Sequence, residues 1–242
     1  MSLEINSEDS SLEIFPSILE NDPGTVARYI KSIAHLFTHV QIDIADGLLV
    51  DGQTYSVDNW VTYILEHQTA IPETTTSEFH LMVQDFLPNV QALTTVTHLM
   101  KIPTILLHFE ALKSWYGPEC VDFYAALQND CSEFEYGIVI SEKTHVQENL
   151  PLISAFPIVQ IMTIEAGSQG RPFNEGALRH IKTLREESYF GKIQLDGGIN
   201  DTTLPQVLAE KYIPNAVCPG SFLKEDTENH LEELRKISIN LH

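Results

Sequence analysis

Gln41-Ile42-Asp43-Ile44-Ala45-Asp46-Gly47 is the stretch whose reading decides the fold. It has the length of a short strand and ends in a turn. Side chains alternate across a strand, so residues 39, 41, 43 and 45 share one face and 40, 42 and 44 the other. Val40, Ile42 and Ile44 form a wholly apolar face suited to burial against helices. The opposite face carries His39, Gln41 and Asp43. An unpaired buried carboxylate costs several kcal/mol or more, so Asp43 requires a cation, a donor or water. Three polar residues in register point to a site. Asp46 before Gly47 reads as a turn residue with no chemistry of its own.

Outward from that strand the chain alternates regularly. Ile14–Leu19 is a short strand containing Pro16. Asp22-Pro23 caps a helix whose apolar positions are Val26, Ile30, Ile33 and Phe37. After the pivotal strand comes a helix at Val57, Trp60, Val61 and Ile64. The strand Glu78–Val83 precedes a helix at Val90, Leu93, Val96 and Met100. Then follow Thr104–Phe109 as a strand with one irregular helical stretch from Glu110 to Leu127, and Gly137–Ile140 with a helix near Val146–Ile153. Ile158–Thr163 leads through a loop to Asn174 as a cap and a helix at Leu178, Ile181 and Leu184. Lys192–Asp196 and Ala216–Cys218 are the last strands, each followed by a helix. Eight strand–helix alternations across 242 residues, roughly 30 residues per unit, match a single-domain (β/α)8 TIM barrel better than an open doubly wound sheet. Residues 1–12 are expected to be a flexible tail and 13–242 the barrel.

Lys+Arg 14 against Asp+Glu 34 gives a formal net charge of -20, which disfavours nucleic acid and anionic membrane surfaces as partners. Backbone N–H groups still bind a small anion without lysine. Three cysteines without paired spacing, no signal peptide and no membrane-length apolar run lead to the expectation of a cytoplasmic protein.

Barrel chemistry sits at the C-terminal ends of the strands. There the sequence places Ser17, Asp43, His80, His108 and Asp196, with Gln41 one pleat below Asp43. Asp, His and Asp are donors a divalent cation accepts, and Gln41 offers an amide oxygen. His108 is expected to pack or to line the pocket. Gly167-Ser168-Gln169-Gly170, Gly197-Gly198 and Gly220-Ser221 follow the last three strands and make a phosphate pocket plausible, with Arg171 adding charge.

Taken together these pieces resemble the ribulose-phosphate 3-epimerase family. The family's Pro-Ser-Ile-Leu is matched by Pro16–Leu19, its Asp-x-x-Asp-Gly by Asp43–Gly47, its His-Leu-Met-Val by His80–Val83 and its His-x-Glu-Ala by His108–Ala111. Met162-Thr163-Ile164, the glycines of 167–173, Asp196-Gly197-Gly198-Ile199 and Gly220-Ser221 follow in the same order. The resemblance implies a two-base epimerisation at C3 of a ketose phosphate, D-ribulose 5-phosphate or a related sugar. Asp43 and Asp196 would transfer the protons. Gln41, Asp43, His80 and Asp196 would hold one divalent ion (Zn, Mn, Fe, Co or Mg). Ser17, His80, Gly167, Ser168, Gly170, Gly198, Gly220 and Ser221 would contact sugar and phosphate, and a homo-oligomer is expected.

The sequence departs from the family at several places. Gln41 stands where the family has its first metal-binding histidine, and His39 lies a pleat deeper. Ala45 replaces a methionine, Val50-Asp51-Gly52 replaces Val-Pro-Asn, Glu165-Ala166 replaces Asn-Pro and Gln169 replaces a glycine. A hexulose phosphate substrate would account for the changes near Ala45 and Asp51. The alternative is a sugar-phosphate-binding barrel without catalysis, acting as sensor or partner. Barrels that decarboxylate or condense sugars use Asp-x-Lys-x-x-Asp, and the absence of that lysine ranks them last.

Overall fold

The computed structural model describes residues 12–68, 70–167 and 170–239. The expected tail therefore lies almost wholly outside the described residues. Nine parallel strands form one sheet: β1 (Glu13–Ile14), β2 (Ser17–Ile18), β3 (His39–Ala45), β4 (Thr76–Met82), β5 (Thr104–His108), β6 (Glu135–Ile140), β7 (Ile158–Met162), β8 (Lys192–Asp196) and β9 (Ala216–Cys218). The expected first strand is divided in two by Phe15-Pro16. β1 pairs with β9 and β2 with β3, so the two halves of one segment close the ring. The break has a simple cause. Phe15 and Ser17 donate to Val217 and Pro219 on one side, and the Pro16 carbonyl accepts from Gln41 on the other. Proline has no N–H to return to β3.

The helices are α1 (Pro23–Ile33), α2 (Val57–Glu66), α3 (Phe86–Thr94), α4 (Phe109–Tyr116), α5 (Phe123–Asp130), α6 (Leu150–Ser154), α7 (Arg179–Glu186), α8 (Leu204–Leu208), α9 (Ser221–Glu225) and α10 (Thr227–Ile239). Asp22 caps α1 by accepting from the Thr25 N–H at 2.7 Å, and Ser56 with Asn59 forms a reciprocal capping box on α2. The irregular helical stretch expected from Glu110 to Leu127 consists of two helices, α4 and α5. α4 stops at Gly117, whose φ of +77° ends the helix before Pro118. Asn174 caps a short 3-10 turn at Glu175–Leu178 that leads into α7.

Val40, Ile42 and Ile44 are buried in the main apolar core between strands and helices. The barrel interior is different. A small apolar cluster of Leu106, Val139, Ile158 and Met162 packs there, and Gly137 makes room for Leu106. Beside that cluster a set of polar side chains is aligned by register. Ser17 lies beside Gln41, Gln41 beside Glu78, Asp43 beside His80, Gln160 beside Gln194, and Met162 beside Asp196.

Two loops meet across the mouth of the barrel. A Cβ on Gly52 would lie 1.5 Å from the Gly167 carbonyl oxygen, and one on Gly167 would strike Val50. Asp46 fixes the first loop by accepting from the Leu48, Leu49 and Gln84 N–H groups. Gly52→Ala is expected to force the loops apart, with a loss of about 1–3 kcal/mol and faster amide exchange over residues 47–52. Exchange at the wild-type rate would show that the backbone contact does not hold the mouth.

Candidate functional site

Asp43 lies on the inward face of β3, two residues before its end, and Asp196 is the last residue of β8. His80 projects from β4 between them. Its Nδ1 lies 3.1 Å from Asp43 Oδ1 and 3.3 Å from Asp196 Oδ2. The three residues are buried, and one ligand atom from each lies within 4.8 Å of the others. Ser17 donates from Oγ to Asp43 Oδ2 at 2.7 Å, which fixes the second oxygen of that carboxylate. Gln41 sits beneath, donating from Nε2 to Asp43 Oδ1 at 2.8 Å and to Asp196 Oδ2 at 2.7 Å.

Other parts of the site were not singled out in the sequence. Gln160 on β7 donates to Asp196 Oδ2 at 3.1 Å. Gln194 on β8 donates to Gln160 Oε1 and to Glu78 Oε1, each at 2.8 Å. Glu78 reaches His39 Nε2 at 3.4 Å. His39 thus belongs to the floor of the barrel, a pleat below the site. The period-two pattern that exposed Gln41 and Asp43 applies equally to Gln160, the one polar residue of β7, and to Gln194, which shares its face of β8 with Asp196.

His80 and His108 stack with ring centres 5.0 Å apart, their Nε2 atoms 2.9 Å from one another. Burial works against charge on His80. The hydrogen bonds to Asp196 and Asp43 and the charges of both outweigh it, raising the His80 pKa to about 9. His108 is pushed well below the ordinary value, first by burial and then by the charge of His80. The proton arrangement follows: cationic His80 donates from both ring nitrogens, and neutral His108 accepts at Nε2. Burial and the neighbouring Asp43 charge raise Asp196, partly offset by His80 and Gln41. A carboxyl raised in this way holds a proton more readily than a free one.

The donor set fits a divalent ion. Two carboxylates and an imidazole converge, and Gln41 Oε1 is buried with no hydrogen-bond partner. Turning the Gln41 amide over would present that oxygen beside the other three donors. Such an oxygen-rich set suits a harder ion than zinc.

The cleft above these residues is lined by Ser17, Met82, Met162 and the glycine turns at Gly167, Gly170, Gly197–Gly198 and Gly220-Ser221. Gly197 and Gly198 have φ of +111° and +68°, and a Cβ on Gly197 would collide with Ile164. Ser168 and Gln169 lie outside the described residues. Arg171, expected to add positive charge to the cleft, is instead paired with Glu165.

The raised His80 pKa has a signed consequence for the ion-free protein. Its contribution to stability is complete below pH 6.5 and is lost as pH rises through about 9. Chelator-treated protein is expected to lose about 3 kcal/mol of unfolding free energy between pH 6.5 and 9.5, and His80→Gln to flatten that profile. A flat wild-type profile would show that the imidazole holds no extra proton.

Comparison with known proteins agrees with this architecture. A ribulose-phosphate 3-epimerase from Methanocaldococcus jannaschii is 26% identical over 94% of this chain and 92% of its own length. One from Mycoplasma genitalium is 23% identical over 60% of this chain, and the match spans 64%, just under two thirds, of that protein. Among solved structures, thiamine phosphate pyrophosphorylase from Pyrococcus furiosus superposes with a TM-score of 0.56 at 15% identity, covering 96% of this chain and 98% of that one. Tryptophan synthase subunit alpha from Campylobacter jejuni gives 0.53 at 14% identity, covering 97% of each. These two share the fold. No helix among the described residues is long and apolar enough to cross a membrane. The model of the ribulose-phosphate 3 epimerase family matches residues 13–221, nearly the whole barrel, and the chain belongs to that family.

Proposed function

We propose that this barrel inverts C3 of a ketose phosphate, D-ribulose 5-phosphate or a close relative, by moving a proton between two carboxylates. The observation that carries the reading is the meeting of Asp43 and Asp196 on one Gln41 amide and one His80 ring, beneath a glycine-lined cleft. One carboxylate removes the C3 proton, leaving an enediolate, and the other delivers a proton to the opposite face. The pair exchanges roles in the reverse direction, so no net proton is consumed. Ser17 keeps Asp43 aimed into the cleft, while Gln160 restrains Asp196 from below. Backbone N–H groups of the turns at Gly198 and Gly220-Ser221 would bind the phosphate without a cationic side chain. Met82 and Met162 supply apolar walls that exclude water.

A divalent ion held by Asp43, His80, Asp196 and the turned-over Gln41 amide would supply charge stabilisation for the enediolate oxygens. The oxygen-rich donor set favours Mn, Mg, Fe or Co over Zn. A second reading, a barrel that binds the sugar phosphate without turnover, draws support from the carboxylates' existing partners: Gln41 and Gln160 already donate to them. Metal analysis of the purified protein with chelation and add-back separates the two.

The test of the two-base reading is solvent exchange. In deuterium oxide the wild type is expected to wash the C3 proton out of ribulose 5-phosphate. Asp43→Asn and Asp196→Asn should each slow that exchange by about 10²–10⁴-fold, the range for removing a general acid or base. Wild-type exchange in either variant would sink the assignment.

A further inference from the structure

A second cavity of about 470 Å³ opens beside the catalytic cleft, and Met162 and Ile164 form a wall common to both. It lies over the ends of β5, β6 and β7, between the strand that carries His80 and the turn after β8 in the order of the ring. His108 connects the two spaces. This ring is buried, with Nε2 on His80 at 2.9 Å, and its other edge lines the second cavity. The Nδ1 atom there has Glu110 Oε2 at 3.9 Å, beyond hydrogen-bonding distance.

Four charged side chains line this cavity besides His108. Glu142 is taken up by Arg179 and Glu165 by Arg171. Glu110 has no Lys or Arg partner and Lys143 no acidic partner among the described residues. Glu110 is close to half exposed into the space. The cavity thus offers one negative group, Glu110, hydrogen-bonded to the Thr144 side chain, and one positive group, Lys143, on apolar walls from Leu49, Val50 and Ala166.

We propose that this compartment is a subsite for a zwitterionic substituent on C1 of the ketose phosphate, an amino acid joined through its nitrogen. The inference rests on the epimerase reading, because that reading fixes the direction of the substrate. With phosphate at the β8 and β9 turns and C3 between Asp43 and Asp196, the C1 end of the ketose extends toward the β5–β7 side of the mouth, where the cavity opens beside His108. A secondary ammonium on C1 then meets Glu110, and the carboxylate beyond it meets Lys143. A plain pentulose leaves both charges facing water.

The test compares two probes by calorimetry: ribulose 5-phosphate and its 1-deoxy-1-glycine conjugate. The conjugate is expected to bind about tenfold more tightly, as one charge-assisted contact allows. Glu110→Gln and Lys143→Gln should each reduce that ratio toward one. Ala166→Phe, which fills the cavity, should reverse it. If ribulose 5-phosphate binds and the conjugate binds no better, the subsite is wrong and the epimerase reading stands. A preference that persists in all three variants also overturns the subsite. If neither probe binds, both inferences fall.

Discussion

Two carboxylates buried in the mouth of one barrel set the terms for everything around them. Removing a carboxylate from water costs several kcal/mol even after relaxation, and two such groups a few ångströms apart repel as well. The chain meets this cost with donors from four directions. Ser17 holds the outer oxygen of Asp43, Gln41 spans both groups, Gln160 holds Asp196 from the side, and His80 places a cation between them. Deleting any donor leaves charge uncompensated in an apolar surrounding, which is more damaging than a missing surface contact.

That requirement propagates downward through the barrel. Gln160 can aim its N–H at Asp196 because its own oxygen is occupied by Gln194, and Gln194 is fixed in turn by Glu78. Glu78 reaches His39 at the floor. Barrels of this class ordinarily fill the interior with branched apolar side chains. Here one side of the interior is such a packing, around Leu106, Val139 and Met162, and the other is a hydrogen-bonded column. Parallel strand register makes the column possible, because Gln160 and Gln194 are direct neighbours and so are Gln41 and Glu78.

The barrel was readable because its outward strand faces are continuous apolar runs and its helices carry ordinary apolar spacing. Ser17, Asp43, His80 and Asp196 were readable because each breaks that pattern at a strand's C-terminal end. Gln160 and Gln194 break it too, two residues before the ends of their strands, but an uncharged amide's residue type does not say which partner it meets. What they do depends on partners 34 to 116 residues away in the chain. Arg171, the charge the sequence offers beside the glycine turns, is shared with Glu165, six residues before it. The break in the helix after β5 was available in Gly117-Pro118, a pair that apolar spacing alone passes over.

Gln41 brings these strands together. An imidazole at that position would hold a fixed donor toward an ion and carry its own titration. An amide is neutral at every accessible pH and has two faces, one a pair of N–H donors and the other an oxygen with two lone pairs. With N–H facing the carboxylates it bridges them, as the structure shows. With oxygen facing them it repels both unless positive charge lies between. The same side chain therefore satisfies the site in either state, and the unpartnered Oε1 marks the face held in reserve. An ion held there would have to displace two good hydrogen bonds and a proton on His80, so its affinity would be lower and more pH-dependent than at a site preformed from two imidazoles and two carboxylates.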